Sequence, residues 1–100
     1  MAIITQRDGA CLTVIPEQRI DTVTAPDLEK KLAEDLGDAQ ELVFDMSHVD
    51  YISSAGLRVL LVYTQKLAAS DGNVRVIGLN DSVRQVFELT GFVDFMDIED

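Results

Sequence analysis

The chain has 100 residues, of which 47% are hydrophobic and 26% are charged, and it contains only two prolines. This composition is typical of a globular protein, and the length suits one domain spanning residues 1–100. Eighteen acidic side chains against eight basic ones give a formal net charge of −10. This charge argues against nucleic acids and anionic membrane surfaces as partners, because both are negatively charged.

The sequence also argues against a membrane-spanning or exported protein. No apolar stretch reaches the roughly 18 residues that a membrane-spanning helix needs. The N-terminal residues lack the charged region and long apolar segment of a signal peptide. Cys11 is the only cysteine, so the chain cannot form an internal disulfide, which suits a reducing compartment. We therefore expect a cytoplasmic protein.

The first third of the chain predicts a β-hairpin followed by a helix. The β-branched runs at 3–5 and 11–15 flank Asp8-Gly9, a dipeptide typical of tight hairpin turns, and Ile20 can extend the second strand. Thr24 is expected to cap the helix, with Asp27 three residues later as in a capping box. The apolar stripe of this helix comprises Ala25, Leu28, Leu32 and Leu36, and Gly37 ends it.

The rest of the chain alternates strands and helices. Residues 42–44 predict a central strand covered on both faces. A helix follows from Ser53 or Ser54 to Ser70, then a strand over 74–77, then a helix that Asn80 caps and Gly91 ends. Residues 92–98 predict a short strand or a last helical turn. The inward-facing residues are expected to be Leu57, Leu60, Leu61, Thr64, Leu67 and Ala68 in one helix and Val83, Val86, Phe87 and Thr90 in the other. The order ββαβαβα predicts a single α/β domain, with a mixed, mostly parallel sheet of about four strands packed with helices.

Two adjacent serines, Ser53 and Ser54, stand where the second helix is expected to begin. The first backbone N–H groups of a helix lack intrahelical partners and carry partial positive charge, so they stabilise a serine oxygen or a phosphate. One interpretation is that a serine here is only an N-cap and that Gly56 allows close packing. The other is that one of the two hydroxyls is a site of chemistry.

The outward face of the same helix is more apolar than a solvated face requires. Ala55, Arg58, Val59 and Val62 fall on this face when residues are placed at 100° intervals around the helix axis. The face predicts either a partner-binding strip that begins at Ser54 or a neighbouring helix of the same chain that covers Val59 and Val62. The pattern does not separate these two interpretations.

Catalytic, metal and nucleotide sites have weak support in the sequence. His48, the only histidine, is near Asp45 and Asp50, but no nucleophile elbow surrounds Ser54 and the three side chains lack a recognised metal-ligand spacing. The glycines form no phosphate-binding loop. We therefore predict no catalytic residue, no metal ligand and no cofactor.

The segment from Phe44 to Leu57, FDMSHVDYISSAGL, resembles the signature of STAS domains (sulfate transporter and anti-sigma-factor antagonist). That signature is an apolar strand ending in Asp-Leu-Ser, an aromatic or apolar pair, Asp-Ser-Ser/Ala-Gly-Leu and an apolar helix. The resemblance covers essentially the whole chain, including residues 19–21 before Thr24-Ala25-Pro26. The length is similar to that of the stand-alone bacterial anti-sigma-factor antagonists.

The resemblance implies a single STAS-like domain and a non-enzymatic partner-switching protein. The unphosphorylated protein would bind an anti-sigma factor that is itself a serine kinase, and so release the sigma factor. The kinase would phosphorylate the serine aligned with Ser54, and a serine phosphatase would reverse the modification. Phosphate adds negative charge to a chain already at −10, which is expected to weaken binding. Together with the helix pattern, the resemblance predicts a partner-binding set of Asp21, Thr22, Ser53, Ala55, Gly56, Arg58, Val59 and Val62.

Ser53 stands where the antagonist pattern usually has aspartate, which makes Ser53 the second choice for phosphorylation. An alternative function keeps the fold and leaves Ser54 as a helix cap only. In that case the protein is a non-phosphorylated scaffold subunit of a transport or stress-signalling complex.

Overall fold

The computed structural model describes residues 2–94 and 96–99. The strands are β1 Ile3–Asp8, β2 Cys11–Pro16, β3 Gln18–Ile20, β4 Glu41–Asp45, β5 Val49–Ile52, β6 Asn73–Ile77 and β7 Asp97–Glu99. The helices are α1 Ala25–Asp35, α2 Ser54–Ala69 and α3 Asp81–Thr90, followed by a 3₁₀ turn at Phe92–Asp94.

Five strands form the main sheet in the order β1-β2-β4-β6-β7, and β4 is its central strand. β1 and β2 form the predicted antiparallel hairpin, whereas the other neighbouring pairs are parallel. Leu42, Val43 and Phe44 are all buried, as expected for a strand covered on both faces. The mixed, mostly parallel α/β architecture predicted from the sequence is therefore confirmed.

The main sheet has five strands where about four were predicted, and β3 and β5 form a separate two-stranded parallel sheet that was not predicted. Ile20 does not extend β2. Gln18 has a φ of 66°, a left-handed conformation that interrupts the extended chain, and Ile20 then pairs with Ile52. Residues 97–99 add the fifth strand of the main sheet, and residues 92–94 form the helical turn. The prediction over 92–98 includes Phe95, which lies outside the described residues.

The ends of α3 agree with the sequence prediction. The side-chain Oδ1 of Asn80 accepts a hydrogen bond from the Val83 backbone N–H at 2.8 Å, and Gly91 ends the helix with a φ of 77°. Glycine adopts this left-handed conformation without a steric penalty.

Thr24 occupies the predicted N-cap position of α1, but its side chain makes no capping hydrogen bond to the helix. The Thr24 hydroxyl instead accepts a bond from the Asp21 N–H at 2.9 Å and donates to the Arg19 carbonyl at 2.8 Å. Asp21 organises this turn, since its Oδ1 accepts from the N–H groups of Val23 and Thr24, each at 3.0 Å.

The buried face of α2 is rotated from the predicted one. Its buried residues are Gly56, Leu57, Val59, Leu60, Tyr63 and Leu67, whereas Thr64 is half-buried and Ala68 is exposed. This difference arises because α2 packs against α1 as well as against β5 and β6. In α3, the predicted core residue Thr90 is exposed, and its hydroxyl donates to the Val86 carbonyl at 2.8 Å.

Candidate partner-binding site

The two serines at the start of α2 have different environments. Ser53 is the N-cap residue, and its Oγ accepts a hydrogen bond from the Gly56 backbone N–H at 3.5 Å. Ser54 is the first residue of the helix and is exposed. Its hydroxyl makes no hydrogen bond within residues 2–94 and 96–99. The capping function therefore belongs to Ser53, and the Ser54 hydroxyl is available to a partner or a modifying enzyme.

We expect Ser53→Ala to lower the free energy of unfolding by about 0.5–1 kcal/mol, as is usual for the loss of an N-cap side chain. The value should lie at the low end of that range because the capping bond is long, at 3.5 Å. Ser54→Ala should change stability by less than about 0.5 kcal/mol, since it removes an exposed hydroxyl that bonds to none of the described residues. Urea denaturation of both variants measures the difference. A larger loss for Ser54→Ala would show that the capping roles are reversed.

The loop that precedes α1 lies directly beside the start of α2. The Ser53 backbone N–H donates to the Ile20 carbonyl at 2.8 Å, which holds the loop at residues 21–24 next to the serine pair. The hydrogen bond from the Thr24 backbone N–H has the largest effect in lowering the pKa of Asp21, so this carboxylate is ionised at neutral pH. Thr22 is exposed and Val23 is 82% exposed. The structure therefore places the loop that contains Asp21 and Thr22 next to the serine pair, and their contact with a partner stays a prediction.

Gly56 sets the distance between α2 and the small sheet. A Cβ atom at this position would lie 2.6 Å from Ile20 Cγ2 and 2.8 Å from Ile52 Cγ1, which is closer than van der Waals contact allows. Gly56 is itself buried, so it presents no side chain to a partner. It contributes to the site by positioning Ser53 and Ser54, which is the close-packing role considered from the sequence.

An open groove with a volume of about 810 Å³ separates α1 from α2, and we call it the α1–α2 groove. Six residues of the predicted partner-binding and phosphorylation set line this groove, namely Thr22, Ser54, Ala55, Arg58, Val59 and Val62, whereas Asp21, Ser53 and Gly56 do not. The outward position predicted for Val59 is wrong, since α1 packs beside it and it is only 5% exposed. Val62 is half-buried. A neighbouring helix of the same chain therefore covers Val59, which is the second of the two interpretations. The rest of the outward face of α2 remains accessible to a partner at Ala55 and Arg58.

The opposite wall of the groove was not predicted. It consists of Ala25, Pro26, Glu29, Lys30 and Ala33 from α1, and α2 also contributes Tyr63 and Lys66. Pro26, Glu29, Lys30 and Ala33 follow the i, i+3, i+4, i+7 spacing of one helical face. That spacing was visible in the sequence, but it does not reveal which helix lies opposite.

The other polar cluster considered from the sequence is engaged in a turn. Asp45 Oδ1 accepts hydrogen bonds from the backbone N–H and the hydroxyl of Ser47 at 3.0 and 2.7 Å. Within the described part of the chain, no three His, Cys, Asp or Glu side chains are grouped as a metal site. Over the same residues, no helix combines the length and apolar character needed to cross a membrane.

Comparisons with known proteins agree on one family. The sequence model of the STAS domain matches residues 2–100. A Bordetella bronchiseptica protein named as a candidate anti-sigma factor antagonist, BtrV, is 34% identical over 90 residues, which cover 89% of this chain and 74% of that protein. The name of that protein describes a regulatory protein and does not refer to a catalysed reaction.

Solved structures show the same architecture. The crystal structure of an anti-sigma factor antagonist from Mycobacterium paratuberculosis superposes with a TM-score of 0.86 and 28% identity, covering 97% of this chain and 83% of that one. A Thermotoga maritima structure described as a candidate anti-sigma factor antagonist has a TM-score of 0.91 and 18% identity, covering 98% and 86%. The Thermotoga comparison supports the fold alone.

Proposed function

Because this chain belongs to the STAS domain family, we propose that it acts as an anti-sigma-factor antagonist whose partner-binding surface is centred on Ser54. The observation that carries the proposal is the exposed Ser54 hydroxyl, without a hydrogen-bond partner in the described residues, at the edge of the α1–α2 groove. The names of the Bordetella and Mycobacterium relatives support the same role.

The proposed surface combines the loop before α1 with the first two turns of α2. Thr22, Ser54 and Arg58 are exposed, and Asp21 and Ala55 are half-buried. Val23 adds a side chain that is 82% exposed. A mixture of polar groups and exposed apolar side chains is typical of a surface that forms a protein–protein interface. The relatives are named as regulatory proteins, and in this proposal the protein acts as a binding partner and a kinase substrate rather than as an enzyme.

Phosphorylation of Ser54 is the proposed switch. The bound partner is an anti-sigma factor that is also a serine kinase, and a serine phosphatase restores the hydroxyl. Phosphate adds about −1.5 to −2 units of charge and three acceptor oxygens. This charge would fall on a chain at −10 and beside the ionised Asp21. The phosphate then repels a partner surface that accommodates a neutral hydroxyl. The anti-sigma factor dissociates from this protein and binds the sigma factor again.

Ser53 is a poorer phosphate acceptor than Ser54 for two structural reasons. It is half-buried, and its Oγ accepts the N–H of Gly56. A kinase would have to break this cap and pull the residue away from Ile20, whose carbonyl binds the Ser53 N–H. Ser54 needs neither change.

We expect one phosphate on Ser54 when the purified protein is incubated with ATP and the anti-sigma kinase encoded beside it. Intact-mass measurement followed by peptide mapping reads out both the number of phosphates and the position. Ser54→Ala should take up no phosphate, whereas Ser53→Ala should still be modified. Phosphate on Ser53 alone, or no transfer from a kinase shown to hydrolyse ATP, contradicts the proposed switch.

A further inference from the structure

The α1–α2 groove carries positive charge on a strongly acidic protein. Its charged residues are the cations Lys30, Arg58 and Lys66 and the single anion Glu29, whereas the chain as a whole has a net charge of −10. The charged side chains that line the groove are therefore mostly opposite in sign to the net charge of the protein, which favours an anionic occupant.

Two of these cations have no side-chain partner among the residues that the structure describes. Lys30 and Arg58 form no ion pair or hydrogen bond through their side chains within residues 2–94 and 96–99. Their neighbours differ in this respect. Lys31 binds Asp35 with an N–O distance of 3.3 Å, and Lys66 lies 4.9 Å from the ring centroid of Tyr63. Lys30 and Arg58 are thus free to bind a carboxylate from outside the chain.

The floor of the groove is apolar and held in place. Val59 and Tyr63 are 5% and 3% exposed, and the Tyr63 hydroxyl donates to the Glu29 carbonyl at 3.5 Å. Small residues at Ala25, Ala33 and Ala55 keep the space between the helices open. An apolar floor with cations along its edges matches a segment that has one apolar side and carboxylates along its margins.

We infer that the α1–α2 groove binds an acidic amphipathic segment of the protein partner. The apolar side of that segment packs on Ala55 and Val62, which are half-buried, and its carboxylates pair with Lys30 and Arg58. This inference rests on the proposed function, because the groove adjoins Ser54 and both lie in one continuous surface.

The same arrangement connects the groove to the phosphorylation switch. Arg58 follows Ser54 by four residues on α2, so the two side chains lie on the same helical face. A phosphate on Ser54 is in reach of the Arg58 guanidinium and competes with the partner carboxylate for it. Phosphorylation therefore removes one of the two cations that hold the segment.

Binding of the purified anti-sigma kinase, measured by calorimetry with ADP so that no phosphate is transferred, tests the inference. Lys30→Gln and Arg58→Gln should each weaken binding by about fivefold, and the double variant by about 20-fold, as expected for ion pairs at an interface edge. Lys31→Gln is the matched control on the same helix and should change the affinity by less than about twofold. The wild-type affinity should also fall more steeply with salt than that of the double variant.

The outcomes separate this inference from the proposed function. If the wild-type protein does not bind the kinase, the proposed function fails. If the wild type binds and the double variant behaves as Lys31→Gln does, only the groove inference is overturned. Sedimentation equilibrium tests whether a second copy of the chain occupies the groove instead. A dimer that forms with the wild type but not with the double variant would show this and would overturn the inference. Circular dichroism should confirm that all variants remain folded, since Lys30 and Arg58 are exposed and the ion pair of Lys31 with Asp35 is accessible to solvent.

Discussion

Ser54→Asp is expected to weaken binding to the anti-sigma kinase by about 30- to 150-fold, which corresponds to about 2 to 3 kcal/mol. The Ser54 hydroxyl is exposed and without a partner in the described residues, and the proposed function puts it in direct contact with the kinase. A carboxylate at this position would lose water on binding and would compete with the partner's carboxylates for Arg58, four residues later on α2. Authentic phosphate carries more charge than aspartate, so the phosphorylated protein should bind more weakly still.

Ser82→Asp is the matched control for this experiment. Ser82 lies in the first turn of α3, is exposed and does not line the α1–α2 groove. The substitution adds the same charge at another helix N-terminus, where it is well tolerated, and it should change the affinity by less than about twofold. Equal losses for both variants would show that net charge controls binding, and an unchanged affinity of Ser54→Asp would contradict the proposed binding surface.

Gly56→Ala is expected to lower the free energy of unfolding by about 2 kcal/mol, through overpacking. The added methyl group would lie 2.6 Å from Ile20 Cγ2, 2.8 Å from Ile52 Cγ1 and 3.0 Å from the Ile20 carbonyl oxygen. Ile20 and Ile52 are 0% and 1% exposed, so neither side chain can move without disturbing the core. Replacing a helical glycine with alanine otherwise stabilises a protein by up to about 1 kcal/mol, and the expected loss already includes this gain.

Ala55→Gly distinguishes packing from helix propensity. It removes a Cβ atom from the adjacent helical residue, which is half-buried, and should destabilise the protein by at most about 1 kcal/mol. If propensity controlled both positions, the two substitutions would have effects of opposite sign. If the contacts of Gly56 dominate, both destabilise, and urea denaturation of the pair decides between them. A stabilised Gly56→Ala protein would show that α2 has room to move away from the small sheet.

The features predicted correctly from the sequence are those that depend on short-range interactions. Asp8-Gly9 predicted the hairpin because its register follows from the turn. Asn80 and Gly91 predicted the two ends of α3, since a cap is decided within one helical turn. The central strand at 42–44 followed from its continuous apolar run.

The errors fall where distant segments meet. The pairing of β3 with β5 joins residues that are about 30 positions apart in the sequence, and no local pattern of Gln18 indicated its left-handed backbone. Thr24 has the residue type of a helix cap, but its hydroxyl bonds to the Asp21 N–H and the Arg19 carbonyl instead of to the helix. The position of Val59 depended on whether α1 or solvent lies beside α2, and the apolar pattern is the same in both cases.

The sequence by itself determined that a pair of serines begins a helix, since the helical periodicity and the family signature both depend on the order of residues in the chain. The tertiary structure decided which serine is available. Ser53 is held by its cap and by the Ile20 carbonyl, whereas Ser54 faces solvent. It also placed Lys30 of α1 and Arg58 of α2 on one groove. That placement depends on the packing of two helices whose contact no local sequence pattern encodes.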